Sequence, residues 1–423
     1  MAKTTKYTGN EPAVAQVEHA TVGGTIEVGD IFTLTVTGLD GSVSKIMFVA
    51  TATTIANVTA GLTSAWNASS DANITPITAT DFSTYVRLTA DTPGIAFTVS
   101  EETTESGGGA ADDQTFVLTT LVANAGPHDF NDADNWSNGL PANGDTVYIE
   151  DAVLLYNLDA LDTDTTEFAK LVIRRSQIGV NPAKGNDPLY LQIRAAIVEI
   201  DEDEGIGSSS PVAPINLDVD DVTSEIKIFN TGNNGVSTKP AVRLKMNNAD
   251  ETDDTGGSDS PGTNVTVFKG KVGIASEDGE TAALDTLTIH DDSVANTSTN
   301  VIVGSGVTLE TLKKYGGQCK LKCAVGTSLQ TGGGSLTTEG TGAITTHTNK
   351  GGTFISNSTG TIATVEGYGG IIDTLQNSAI RTITAMKLDP TCILKMNEDV
   401  LTTTLSLLTT SNAKDLQITV SEV

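Results

Sequence analysis

Near the C-terminal end of the chain, apolar and glycine positions recur at a nearly fixed step. Four Gly-Gly pairs, Gly316-Gly317, Gly333-Gly334, Gly351-Gly352 and Gly369-Gly370, follow one another at intervals of 17, 18 and 18 residues. Seven positions before each pair stand Leu309, Gly326, Ile344 and Ile362; four before stand Leu312, Leu329, His347 and Val365; three after stand Cys319, Leu336, Phe354 and Ile372. A constant period with apolar residues at constant offsets indicates stacked copies of one small unit. The unit is rich in Thr, Gly and β-branched residues and lacks helical spacing, so it predicts the coils of a β-solenoid (β-helix) over about 301–376. The glycine pairs lie between short strands rather than before helices, which makes them turns and not phosphate cradles.

Upstream the pattern changes. Ile31–Val36, Lys45–Val49, Tyr85–Thr89, Ile95–Val99 and Thr115–Val122 read as strands. Between them Ile55, Val58, Leu62, Ala65 and Trp66 fall on one helical face, with Thr53 or Thr54 available to cap it. Residues 21–122 therefore predict a small α+β sandwich module, preceded by a polar arm over 1–20 that docking would order. Residues 123–160 form a junction in which Trp136 is expected to close the apolar end of the solenoid. Residues 161–300 predict an irregular solenoid with acidic loops at 201–214 and 247–262. Residues 377–423 keep short strands that close the stack. The fold class is mainly β: an N-terminal α+β module followed by a β-solenoid with coils of about 18 residues.

Composition narrows the function. The chain has 423 residues, 24 basic against 53 acidic, and a formal net charge of −29. Such a chain is repelled by nucleic acid and by anionic membranes, and it stays soluble at high local concentration. No secretory h-region opens it, and no run approaches the roughly 18 apolar residues of a membrane helix. The expectation is a protein that starts in a cytoplasm and binds neither nucleic acid nor membrane. The basic residues are partly grouped: Lys3 and Lys6 at the start, and Lys313, Lys314, Lys320 and Lys322 within ten residues. They are either ordinary solvated lysines or a docking patch for an acidic partner.

Candidate chemistry is sparse. No nucleophile elbow, zinc helix or phosphate loop occurs, and no catalytic residue or cofactor is expected. Asp129, Asn131, Asp132 and Asp134 could bind Ca²⁺ through oxygen ligands, although Asx residues also make turns on their own. Cys319, Leu321 and Cys323 alternate onto one face, so the thiols read as buried small hydrophobes. Cys392 is read the same way. The four histidines are too scattered for a metal site. Tyr315 and Tyr368 hold the same place in their coils and could form a stacking ladder or a platform for sugars.

Two segments carry a resemblance. Residues 24–100, with Val28-Gly29-Asp30-Ile31-Phe32-Thr33-Leu34 and Thr92-Pro93-Gly94-Ile95-Ala96-Phe97, resemble small αβ modules of virion and tail proteins of tailed bacteriophages. Asn135-Trp136-Ser137-Asn138-Gly139-Leu140-Pro141 is similar to the entry of β-helical surface proteins, and the Tyr-Gly-Gly coils are similar to those of phage β-helical structural proteins. The resemblance covers most of the chain. It implies a virion structural protein of the capsid decoration (cement) type, assembled in the host cytoplasm, a homotrimer on the head exterior with the major capsid protein as partner. Two other readings stay open: a tail fibre, spike or adhesin that binds host glycans, and a polysaccharide-degrading β-helix enzyme.

Overall fold

The structure is a computed structural model. It describes residues 2–38, 42–105, 113–127, 129–130, 132–150, 154–155, 166–174, 179–180, 190–202, 215–219, 223–231, 240–246, 262–290, 299–375, 381–396, 400–407 and 418–420. Most of the acidic loops at 201–214 and 247–262, together with Asn131 and His128, lie outside the described residues.

The protein is mainly β, with one α-helix among the described residues. Two long sheets dominate, one of 13 strands and one of 11, and every pairing in them is parallel. From residue 263 to 396 successive strands alternate between the two sheets, and each lies beside the strand two before it. This is the alternation a β-helix requires. Inward positions of both sheets fill one continuous core, which includes Val198, Ile226, Leu287, Leu312, Phe354 and Ile372. No helix of the described residues is long and apolar enough to cross a membrane.

The coil phase departs from the sequence alignment at one point. In the 11-stranded sheet Cys319, Leu336, Phe354 and Ile372 are in register, as the repeat predicts. In the 13-stranded sheet, however, Leu309 pairs with Val325 and Leu312 with Ser328, not with Gly326 and Leu329. The cause is a third glycine, Gly332, placed before Gly333-Gly334. Alignment on the glycine pairs therefore shifts the strand Val325–Gln330 by one residue, and a one-residue shift reverses which side chains face inward. Ser328 and Gln330 are fully buried, and Leu329 is half-buried on the outside.

The N-terminal arm divides. Its first part is the end rung of the stack: Thr4–Lys6 pairs in parallel with Thr146–Tyr148. Tyr7, Phe130 and Trp136 then close the apolar end of the core, with the Tyr7 and Trp136 ring centroids 5.1 Å apart and edge-on. The arm is thus ordered by its own chain. The chain leaves this cap at Val14, whose N–H donates to the Ala125 carbonyl at 2.7 Å where the chain returns.

Residues 17–122 form two antiparallel sheets with a core of their own. One has the strand order Ile77–Asp81, Tyr85–Ala90, Val17–Gly24, Gln114–Val122; the other Val43–Val49, Ile31–Thr37, Thr98–Thr104. The helix Ile55–Asn67 starts at Thr54, whose Oγ1 accepts from the Asn57 N–H at 3.3 Å. It buries Val58, Leu62 and Trp66 against the sheets, and the Trp66 indole donates to the Ile77 carbonyl at 2.7 Å. Val17–Gly24 escapes sequence reading because its inward residues are Glu18, Ala20 and Val22, of which only Val22 is a strong apolar signal.

Candidate functional site

The second glycine of each pair carries the backbone strain of the turn: Gly317, Gly334, Gly352 and Gly370 have φ of 65°, 76°, 69° and 74°. Gly316, Gly333, Gly351 and Gly369 do not. Amide and ammonium groups inside the coils tie these turns down. Lys314 Nζ donates to the Gly333 carbonyl at 2.8 Å, Gln330 Nε2 to that of Gly334 at 3.5 Å and Asn349 Nδ2 to that of Gly369 at 2.7 Å. Lys314, Gln330 and Asn349 are adjacent rungs of one inward column.

Lys314 is therefore a correction to the docking set, because its side chain is fully buried. Lys3 also works within the chain: its ammonium donates to the carbonyls of Asn138, Gly139 and Leu140 at 2.6, 3.4 and 3.0 Å. Lys320 lies 3.4 Å from Glu339. Lys6 is exposed, while Lys313 and Lys322 are half-buried. Seven rungs separate the strand of Lys6 from that of Lys313, roughly 33 Å. The lysines do not make one patch.

The oxygen-ligand set is redrawn too. Asp129 is buried, and the group that converges is Asp132 and Asp134 joined by Glu11 from the arm. The three carboxylates offer ligand atoms within 4.8 Å of one another, and among the described residues they are the group that could hold a cation. Desolvation and then the charges of Asp132 and Asp134 raise the Glu11 carboxyl above its ordinary range. Glu11 was beyond sequence reading because 121 residues separate it from Asp132.

Among the described residues, Ser328 and His347 form a hydroxyl–imidazole pair. Ser328 Oγ lies 2.7 Å from His347 Nδ1, and the His347 ring stacks on Phe354 with centroids 3.8 Å apart. Both Ser328 and His347 are fully buried, so no substrate reaches them in this state. Burial alone lowers the His347 imidazole from 6.5 to about 3. The unfolded chain binds this proton near 6.5 and the folded chain only near 3, so the site costs nothing above 6.5. Stability is lost as pH falls through the window between the two values. At pH 4 the loss amounts to about 3 kcal/mol, at about 1.36 kcal/mol per pH unit. In denaturant titrations at pH 7 and pH 4, the stability of the native chain relative to His347→Gln should fall by that amount. An unchanged difference would contradict the assignment.

A second cluster faces outward from the 11-stranded sheet. Lys245 Nζ is 3.5 Å from Asp218 Oδ2 and 4.4 Å from the Tyr190 ring centroid. The Tyr190 hydroxyl hydrogen-bonds Glu280, and Arg243 pairs with Glu277 at 2.8 Å. Burial, followed by Glu280, pushes the Tyr190 phenol well up, which unsuits it as a base. Tyr190, Asp218 and Lys245 are almost completely enclosed. The thiols are inert for the same reason: burial pushes Cys319 and Cys323 up to about 12 and Cys392 to about 11.

An aromatic column runs along one corner of the stack. It lies one step beyond the register Ile228, Val267, Ile289, Lys314. Phe229, Phe268, His290 and Tyr315 stack in sequence, with centroids 5.1–5.2 Å apart and interplanar angles of 7–21°. Thr331 and Lys350 follow in the column, then Tyr368. Tyr315 and Tyr368 thus share a column, as their offsets indicate, but do not touch. The stacked rings cover one another's faces, which leaves little open π surface for a sugar.

Apolar exposure concentrates elsewhere. Of the 12 exposed large hydrophobic residues among the described ones, seven lie in 17–122: Val28, Val43, Met47, Val49, Phe82, Val117 and Leu121. A mostly apolar cleft of about 340 Å³ lies in the same part, between Val36–Gly38, Pro76–Ile77 and Ile95–Phe97, and no titratable side chain lines it. No protein-family model, no curated protein and no solved structure matches this chain.

Proposed function

We propose that this chain is a non-enzymatic structural protein of a virion, a capsid decoration protein on the exterior of a bacteriophage head. In this reading residues 17–122 are a docking module, the major capsid protein is the partner, and the protein works as a homotrimer. The regular coils of about 18 residues make up the body that faces solvent. Decoration of this kind stabilises a shell by burying area at many symmetric contacts.

The observation that carries the reading is the placement of apolar exposure on residues 17–122. Exposed apolar surface marks a contact, and seven of the 12 exposed large hydrophobic residues among the described ones lie in 17–122. A net charge of −29 favours a position away from the genome. The adhesin reading asks for open ring faces along the stack, and the Phe229–Tyr315 column occupies them.

Deleting the whole N-terminus would also remove the Thr4–Lys6 rung and uncover the core. The decisive variant joins residue 16 to residue 123 through a short Gly-Ser linker, which the Val14–Ala125 contact makes feasible. It should retain the strand signal in circular dichroism and lose cosedimentation with particles stripped of this protein. Retained cosedimentation would overturn the docking assignment.

A further inference from the structure

Residues 137–140 clasp the N-terminal strand. The Lys6 N–H donates to Ser137 Oγ at 3.0 Å, and the Ser137 N–H donates to the Lys6 carbonyl at 2.9 Å. Thr5 Oγ1 donates to the Gly139 carbonyl at 3.1 Å, and Asn138 Nδ2 donates to the Thr4 carbonyl at 2.6 Å. Lys3 completes the clasp, with its ammonium 2.6 Å from the Asn138 carbonyl oxygen. These contacts hold the end rung Thr4–Lys6 in place.

The clasp is built on an Asn-Gly step, in which no Cβ on the second residue shields its nitrogen from the asparagine amide carbon. Asn138 is exposed to water. A Cβ at Gly139 would meet one atom within 4 Å, Lys3 Nζ at 3.8 Å, so the approach is open. The Gly139 N–H is held only at 3.3 Å, by the Trp136 carbonyl. Asn143-Gly144 has the same sequence, but there both groups are fixed. The Gly144 N–H donates to the Glu167 carbonyl at 2.7 Å, and Asn143 Oδ1 accepts from the Glu167 N–H at 2.6 Å. Asn234-Gly235 lies outside the described residues. Lys3 adds an electrostatic reason. When the Gly139 nitrogen loses its proton, the charge spreads onto the Asn138 carbonyl oxygen, the atom that the Lys3 ammonium touches. A fixed cation there stabilises the nucleophile as it forms.

We propose that Asn138 is a self-modifying site, deamidated by its own chain with Lys3 as the activating group, and that the conversion loosens the N-terminal rung. The Gly139 nitrogen gives its proton to water and bonds to Asn138 Cγ. The Cγ–Nδ2 bond breaks, and the side-chain nitrogen leaves as ammonia. Water then opens the five-membered succinimide. Opening at Cγ gives aspartate; opening at the backbone carbonyl carbon gives isoaspartate, with the main chain rerouted through Cγ. Water is the co-reactant, and nothing is oxidised or reduced. Both products lose the Nδ2 donor and leave the Thr4 carbonyl without that bond. Isoaspartate also displaces the carbonyls that hold Lys3 and Thr5. The rung beside Tyr7 and Trp136 therefore loosens as the chain ages.

Incubation of the full purified chain at mildly alkaline pH, followed by peptide mass mapping, tests it. The peptide with Asn138 should gain the mass difference between an amide NH₂ and a hydroxyl, well before the peptide with Asn143 does. Lys3→Met should slow the conversion at Asn138 about tenfold or more, and Lys3→Arg should keep it close to the native rate. A merely structural role for Lys3 predicts the opposite, because a loosened clasp frees the Gly139 N–H and speeds the reaction. In denaturant all three chains should convert alike. Amide hydrogen exchange then reads the consequence: Thr4–Tyr7 should exchange faster in Asn138→Asp and in the aged chain, with Ser335–Thr338 unchanged. An Asn138 that persists while Asn143 converts, a Lys3→Met chain that converts as fast as the native one, or exchange at Thr4–Tyr7 that does not rise would each overturn the proposal.

Discussion

Gly334→Ala should unfold the protein at a markedly lower temperature, while Gly333→Ala, one residue away, should melt like the native chain. A Cβ at Gly334 would lie 1.9 Å from the Gly317 carbonyl oxygen, and φ there is 76°. Left-handed strain costs about 1–3 kcal/mol for a residue with a side chain, and forcing the neighbouring coil aside adds about 1–3 kcal/mol. A Cβ at Gly333 meets nothing within 4 Å, and that change should stay within about 0.5 kcal/mol. Thermal and denaturant melts of the two variants check this directly. Equal effects would mean that the coils are not stacked turn upon turn as described.

Lys245→Met should cost about 3–5 kcal/mol, the usual effect of removing one partner from a buried ion pair. Asp218 and Lys245 lie opposite each other on adjacent strands, with their side chains 3% and 4% exposed. Methionine keeps the packing of the stem, so the loss reports the stranded Asp218 carboxylate. The double variant D218N/K245M should recover much of the stability, because neither buried charge then remains. Chemical denaturation of the single and double variants measures both. A neutral single variant would show the pair to be solvated.

Much of the architecture could be read from the chain, and the failures have definite causes. The glycine pairs and the column Cys319, Leu336, Phe354, Ile372 follow from the period alone. The phase of Val325–Gln330 does not, because Gly332 lengthens one turn and moves Ser328, not Leu329, into the core. The Ser328–His347 pair was hidden by that single slip. Helix Ile55–Asn67 and its Thr54 cap were legible from spacing and capping chemistry. Ile95–Phe97 was not: Gln16 Nε2 and Oε1 bind the Phe97 carbonyl and N–H, so the strand starts at Thr98. The contact of Asp218 with Lys245 depends on coil register, and that of Glu11 with Asp132 on the arm folding back onto the cap; neither leaves a local signal. Among the lysines, proximity in sequence suggested one patch, but strand alternation sends Lys314 inward and Lys313 outward.

Location on the particle decides whether this chain decorates the outside of a virus head. Immunogold electron microscopy on particles purified from the source would use an antibody raised against the full chain. A decoration protein should give label spread evenly over the head. Label confined to the tail tip, or particles without label, would contradict it.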